Sequence, residues 1–257
     1  MTAMLASVMS VVEAKVALEL DADIIDLKNP HDGALGALPL GTIREIVAVL
    51  GRRVTVSATI GDTPFEPAQI VDKVISVAET GVDIVKIGID PNRADKASWR
   101  EITGMLRVRD ADPAVSLVAV LLADDVLPID WVDVLSLSGF QGVMLDTGDK
   151  RRGSLRTRHR DTELKRFVEY AHSLNLFCGL AGSLRIEDIA PLLAMSPDYL
   201  GFRGALCRDT DRIAQLDIDA FRAVRSRVPR DRGDHGLSRA TGSAALGKKV
   251  LSEILPL

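Results

Sequence analysis

The segment LASVMSVVEAKVALELDADIID (residues 5–26) contains the repeating unit that decides the fold. Its ends, Leu5–Val8 and Asp23–Asp26, are short apolar runs of strand type, and apolar residues between them recur at helical spacing. A strand, a helix and a second strand in this order predict a right-handed parallel crossover. The first strand runs into SVMSVVEA, which lacks the GxGxxG turn of a dinucleotide-binding sheet. The segment therefore favours a barrel over an open doubly wound sheet.

The same alternation continues along the chain. Six further strands are predicted at Arg53–Ile60, Val82–Ile87, Val115–Leu122, Gly142–Asp146, Leu176–Ala181 and Tyr199–Phe202. Eight strand–helix units in about 250 residues are typical of a closed (β/α)8 TIM barrel, so we expect an α/β fold with one barrel domain over residues 1–232. Residues 233–257 are expected to form a short C-terminal extension. Two interpretations of it stay open: a segment that packs on the barrel, or a subunit contact.

Composition restricts the classes of partner. Hydrophobic residues make up 47% of the chain and the formal net charge is −4. This charge argues against nucleic acid or an anionic membrane as the main partner. The two cysteines, Cys178 and Cys207, have no zinc spacing and indicate reduced thiols of a cytoplasmic protein. The histidines form no metal-binding pattern, so we predict neither a metal nor another cofactor. A homo-oligomer is left open.

Three lysines and two aspartates lie at or near predicted strand ends: Asp26, Lys28, Lys86, Asp146 and Lys150. In a TIM barrel the active site lies at the carboxyl ends of the strands, and strands two, four and six share layers inside the barrel. The five side chains are therefore expected to converge on one mouth. An amine must lose its proton before it attacks a carbonyl, and burial or a neighbouring ammonium lowers its pKa from about 10.4. The set predicts imine and proton-transfer chemistry.

The structural alternative is that these lysines only form ion pairs, which also perturb buried groups. Under this hypothesis each lysine is neutralised by a carboxylate close in sequence: Lys28 by Asp26, Lys86 by Asp83 or Asp90, and Lys150 by Asp149.

Glycine-rich turns follow the last two predicted strands, as GLAGSLR (179–185) and GFRGALC (201–207). Small residues that lead into a helix leave backbone N–H groups free to hold an anion. TIM barrels often bind phosphate at the loops after strands seven and eight. We therefore predict phosphate contacts at Gly182, Ser183, Arg203 and Gly204. The alternative is that these residues form tight turns with a surface arginine.

The loop DKRRGSLRTRHR (149–160) is strongly cationic. It lacks the interleaved aromatic residues expected of an RNA-binding segment. Attraction of phosphorylated substrates to the mouth is the simpler interpretation, with a solvated charge run as the alternative.

Several of these motifs occur together in one known family. The segments are ADIIDLKNPHDGALGALP (22–39), VSATIGD (56–62), VDIVKIGI (82–89), VMLDT (143–147), LAGS (180–183) and GFRGA (201–205). In this order they resemble (5-formylfuran-3-yl)methyl phosphate synthase, also called 4-(hydroxymethyl)-2-furaldehyde-phosphate synthase. The similarity extends to about Cys207 and covers most of the chain.

The resemblance implies a TIM-barrel lyase that condenses two molecules of glyceraldehyde 3-phosphate into a furan phosphate, with loss of phosphate and two waters. Such enzymes act in the furan branch of methanofuran and methylofuran synthesis, in one-carbon metabolism. The family's Schiff-base lysine falls on Lys28 and its proton-accepting lysine on Lys86, with Asp26, Asp146 and Lys150 in support. The alternatives are a class I aldolase for another sugar phosphate and a non-catalytic barrel that binds phosphometabolites.

Overall fold

The computed structural model describes residues 1–62, 66–108 and 115–229. Eight parallel strands close into one barrel in the order in which they occur along the chain, which confirms the predicted TIM barrel. They are β1 (Ala3–Val8), β2 (Ile24–Leu27), β3 (Thr55–Thr59), β4 (Ile84–Ile89), β5 (Ser116–Leu122), β6 (Gly142–Asp146), β7 (Phe177–Leu180) and β8 (Tyr199–Phe202). The predicted extension over residues 233–257 lies outside the described residues.

Nine α-helices occur within the described part of the chain, where the sequence predicted eight. They are α1 (Val11–Glu19), α2 (Leu40–Leu50), α3 (Pro67–Ala78), α4 (Ser98–Val108), α5 (Val132–Leu137), α6 (Leu155–Arg158), α7 (Asp161–Ser173), α8 (Ile186–Leu193) and α9 (Ile218–Arg225). The additional helix is α6, a single turn in the loop after β6. Each longer helix buries its apolar stripe against the barrel, as Ile43, Ile46 and Leu50 of α2 do.

Apolar side chains fill the barrel interior beneath the mouth. Leu5, Ile24, Val118 and Met144 pack there around the buried ring of Tyr199. The ring occupies the space beside Gly179, since a methyl group at that position would lie 2.1 Å from Cε2 of Tyr199. The interior is therefore a packed core rather than a channel, and polar chemistry is confined to its ends.

The amino ends of the strands carry their own aspartates. Asp23, Asp83 and Asp198 each accept a hydrogen bond of 2.7–2.8 Å from a backbone N–H near the start of the preceding strand. Asp83 therefore lies at the opposite end of its strand from the mouth. It does not neutralise Lys86, so that pairing, weighed as a structural alternative, is wrong.

Both cysteines are free and buried, in agreement with the prediction of reduced thiols. Among the helices of the described ranges, none combines the length and the apolar character that crossing a membrane would require.

Candidate active site

A buried ion pair joins β2 and β4 at the carboxyl end of the barrel. The Nζ atom of Lys86 lies 2.7 Å from Oδ1 of Asp26, and the two residues are 3% and 0% exposed. The inward side of each strand faces the barrel axis, so two charged residues from strands of the same parity meet there. The pair is the one expected from convergence and not the local pair of Lys86 with Asp90. Asp90 pairs with Arg93 instead.

Two serines fix the orientation of the Asp26 carboxylate. Ser57 of β3 donates a hydrogen bond of 2.7 Å to Oδ1, and Ser7 of β1 donates one of 2.9 Å to Oδ2. Both serines stand in register with Asp26 on the neighbouring strands. Burial alone would raise the pKa of Asp26, but Lys86 and Lys28 lower it below its usual value. Asp26 is therefore held as an oriented anion.

A second ion pair lies at the end of β6. The Nζ atom of Lys150 is 2.5 Å from Oδ1 of Asp146, which also accepts a hydrogen bond of 2.7 Å from the backbone N–H of Thr147. Burial opposes ionisation of Asp146, but Lys150 and Lys28 bring its pKa below the usual range. Lys150 was expected to pair with Asp149 under the structural hypothesis. Asp149 instead pairs with Arg151.

Lys28 is the lysine of the mouth that forms no ion pair with a described carboxylate. Of the described carboxylates, none lies within 4.0 Å of its amine, although the side chain is only 9% exposed. Burial lowers the pKa of Lys28 to about 8, while Asp146 and Asp26 counteract that effect and Lys150 and Lys86 add to it. About a tenth of this amine is therefore neutral at pH 7, far more than of an ordinary lysine, and the neutral form is the one that attacks a carbonyl.

The loops after β7 and β8 line the same cavity of about 720 Å³ as Lys28 and Asp146. Within the described residues, the backbone N–H groups of Gly182, Ser183 and Gly204 have no protein acceptor. Gly182 has a φ of 100°, and a methyl group there would lie 2.9 Å from Cγ2 of Thr147. Free N–H groups in a turn of this kind can receive an anion. Phosphate binding at these three residues stays a prediction.

The Arg203 side chain is neither free for the predicted phosphate contact nor on the surface, as the alternative interpretation had it. Its guanidinium is buried and forms an ion pair with Glu13 of α1, with Nη1 2.6 Å from Oε2. It also donates to the backbone oxygens of Ser7, Arg212 and Ala214, so all five of its N–H groups have protein acceptors. The guanidinium therefore has no donor left for phosphate. The sequence did not predict this pairing because α1 and β8 lie at opposite ends of the chain.

Arginines of the cationic loop are also matched with carboxylates. Four of them form ion pairs: Arg151 with Asp149, Arg152 with Asp125, Arg156 with Asp161 and Arg158 with Asp124. The carboxylates around the folded loop therefore offset much of the positive charge that its sequence alone suggests. Its expected role in attracting substrate stays a prediction that these pairs weaken.

Several residues of the mouth were not singled out in the sequence. Ser7, Ser57 and Thr147 are short polar residues at strand ends, and the alternation of the strands would have pointed to the two serines. Arg212 lies in the loop after β8 and lines the cavity. Residues 1–62, 66–108 and 115–229 contain no cluster of histidine, cysteine, aspartate or glutamate side chains that could bind a metal ion.

Comparison with known proteins gives one consistent family. The family model described as 4-HFC-P synthase matches residues 4–225. A protein of Methylorubrum extorquens, provisionally named (5-formylfuran-3-yl)methyl phosphate synthase, is 40% identical over 86% of this chain and 92% of its own. The enzyme of that name from Methanosarcina mazei is 36% identical over 76% and 86%, and that from Methanocaldococcus jannaschii is 35% identical over 81% and 92%.

Solved structures with low sequence identity share the fold. Phosphoribosyl anthranilate isomerase from Thermus thermophilus aligns with a TM-score of 0.62 at 15% identity, covering 88% of this chain and 98% of its own. 3-Hexulose-6-phosphate synthase aligns with a TM-score of 0.58 at 16% identity, covering 88% and 100%. These two likenesses concern the barrel alone. The matched family model and the curated relatives together show that the chain belongs to the 4-HFC-P synthase family.

Proposed function

We propose that the protein is a lyase that condenses two molecules of glyceraldehyde 3-phosphate into (5-formylfuran-3-yl)methyl phosphate, with loss of one phosphate and two waters. The reaction proceeds through a Schiff base on Lys28 and supplies the furan of a methanofuran-type cofactor. The observation that carries the proposal is the unpaired, buried amine of Lys28 beside two lysine–aspartate pairs. The curated relatives with the synthase name support the same assignment.

The chemistry needs one nucleophilic amine and several proton carriers. The neutral amine of Lys28 adds to the aldehyde carbon of one triose phosphate, and loss of water gives the imine. The imine withdraws electrons from the adjacent carbon, whose proton then leaves to a base at the mouth. The resulting enamine expels the phosphate from the third carbon of this triose and leaves that carbon as the nucleophilic end of an enol. It attacks the ketone carbon of the second triose phosphate, which has isomerised to dihydroxyacetone phosphate, and this forms the carbon–carbon bond.

The expulsion of phosphate and the two later dehydrations each require a proton to be delivered or taken up. Lys86 with Asp26 and Lys150 with Asp146 supply these groups from β4 and from the loop after β6. The backbone N–H groups of Gly182 and Gly204 hold a substrate phosphate. Two dehydrations close the furan ring, and hydrolysis of the imine then releases the conjugated furan aldehyde and the free amine of Lys28.

The experiment is incubation of the purified protein with glyceraldehyde 3-phosphate alone, followed by mass spectrometry and ultraviolet absorbance of the product. A conjugated furan aldehyde supports the proposal, whereas an aldol product without the ring would indicate a class I aldolase. Unchanged substrate would indicate a binding protein.

Trapping with borohydride tests the position of the imine. The wild type should gain the mass of one reduced triose phosphate on the peptide that contains Lys28. The Lys28→Ala variant should form no adduct and no furan, while Lys165→Ala, a change at an exposed lysine of α7, should behave as the wild type. Trapping retained in Lys28→Ala would place the imine on another residue.

A further inference from the structure

The cations of the mouth cavity fall into two groups. Six cationic side chains of described residues line it: Lys28, Lys150, Arg151, Arg185, Arg203 and Arg212. Four of them have a carboxylate within 4.0 Å: Lys150 has Asp146, Arg151 has Asp149, Arg185 has Glu187 and Arg203 has Glu13. Of the six, only Lys28 and Arg212 have none. Lys28 is accounted for by the imine, but Arg212 is not.

Arg212 has donors that no group of the described residues satisfies. Its guanidinium carries five N–H groups, and one of them donates to the backbone oxygen of Gly33, with Nη2 and the oxygen 2.7 Å apart. Among the described residues, no other acceptor is bonded to it. The side chain is half-buried, and this burial lowers the pKa of the guanidinium. A partly desolvated cation with free donors beside a cavity is suited to an anionic ligand.

Arg203 provides a comparison within the same loop. All five of its donors are used by protein acceptors, as expected of an arginine whose role is structural. Two of those acceptors are the backbone oxygens of Arg212 and Ala214, at 2.8 Å each. The buried Arg203–Glu13 pair therefore fixes the backbone on both sides of Ile213. Arg203 thus holds Arg212 in place instead of binding an anion itself.

We propose that Arg212 binds the phosphate of a substrate molecule through its guanidinium, between the loop after β8 and the loop after β2. The proposal rests on the proposed function, because a condensation of two triose phosphates brings two phosphate dianions to one mouth. The backbone N–H groups of Gly182, Ser183 and Gly204 form one anion site, and Arg212 forms the other. Gly33 lies in the loop that begins at Lys28, so a phosphate on Arg212 arrives next to the segment that carries the amine.

The planar fork of a guanidinium can hold two phosphate oxygens at once, which a lysine cannot do. Arg212→Gln should therefore raise the half-saturating concentration of glyceraldehyde 3-phosphate for furan formation by about tenfold or more. Arg212→Lys should lie between this variant and the wild type. The matched control is Arg222→Gln, which removes an exposed arginine of α9 that pairs with Asp219 and does not line the cavity. It should change the half-saturating concentration less than twofold.

Borohydride trapping at saturating triose phosphate separates this inference from the proposed function. If the wild type forms neither adduct nor furan, the proposed function fails. Inorganic phosphate then still tests Arg212, since the Arg212→Gln variant should bind it more weakly than Arg222→Gln does. If the wild type forms both products and Arg212→Gln matches Arg222→Gln in half-saturation, the function stands and the phosphate contact is refuted.

Each substitution at Arg212 also removes its hydrogen bond to Gly33, so the melting temperature of each variant must be measured to detect a purely structural effect. We expect Arg212→Gln and Arg212→Lys to melt within a few degrees of the wild type. A lysine variant with wild-type melting and wild-type half-saturation would also refute a bidentate contact.

Discussion

The buried amine of Lys28 should make the protein less stable than it would be without it. In the native state its pKa is lowered from 10.5 to about 8, so the folded protein binds this proton less tightly than the unfolded chain does. We expect Lys28→Met, which keeps the length of the side chain and removes the charge, to unfold at higher denaturant concentration at pH 7. Active-site groups commonly reduce stability in this way.

The size of the effect follows from the pKa difference. Lowering the pKa of Lys28 from 10.5 to about 8 corresponds to about 3 kcal/mol of lost stability at pH values below both. Between pH 8 and pH 10.5 the unfolded state binds more protons at this position than the native state, so the wild type gains stability as pH rises. The advantage of Lys28→Met should therefore be about 3 kcal/mol at pH 7, or about 6–12 °C in melting temperature, and about 1 kcal/mol at pH 10.

Urea unfolding of the wild type and the variant at pH 7 and pH 10 provides the assay. Lys165→Met is the control, since that side chain is 57% exposed and its substitution should give no difference between the two pH values. The reasoning would be refuted if Lys28→Met were no more stable than the wild type at pH 7. A stability difference that is as large at pH 10 as at pH 7 would also refute the reasoning. Burial of the Lys28 charge could then not be the cause of the difference.

Three further predictions concern activity and packing. The kcat/KM of the wild type should rise about tenfold per pH unit below pH 8 and level off above it, because only the neutral amine of Lys28 reacts; a flat pH–rate profile would contradict this. Glu13→Gln should cost about 3–5 kcal/mol in urea unfolding, because it leaves the buried Arg203 charge unpaired; a loss similar to that of an exposed ion pair would contradict it. Gly182→Ala should raise the half-saturating triose phosphate concentration in the furan assay, because the added methyl crowds Thr147; unchanged saturation would exclude the turn as a phosphate site.

The position of the site could be predicted from the sequence because strand alternation and barrel parity are properties of the backbone. Asp26, Lys86 and Asp146 occur on strands two, four and six, and that alone directs them to one mouth. Their partners could not be predicted in the same way. Local spacing suggested Asp83 for Lys86, but Asp83 lies at the other end of the strand and accepts a backbone hydrogen bond there. Pairing across the barrel depends on the tilt and register of the strands.

The anion-binding residues were harder to assign, because an arginine's role depends on whether its donors are already used. Arg203 and Arg212 lie in the same loop, and of these two the sequence analysis predicted a phosphate contact for Arg203. The difference arises from Glu13, which the N-terminal turn of α1 brings beside β8. Arg203 forms a buried ion pair with Glu13 and so has a structural role. Arg212 has no such partner among the described residues and keeps free donors. Contacts of this kind join residues about 190 positions apart and leave no local pattern.

The two lysine–aspartate pairs also explain why the pKa of Lys28, the amine proposed to form the imine, falls to about 8 and no further. Burial alone would lower the pKa of Lys28 further, but Asp146 and Asp26 counteract it. Both carboxylates are ionised because their own lysines lower their pKa values. The same groups that carry protons in the proposed reaction therefore set the fraction of Lys28 that is neutral. An amine with no such neighbours would be less suited to the proposed reaction. If it were exposed, it would stay protonated at neutral pH. If it were deeply buried, it could not take back the proton that imine hydrolysis requires.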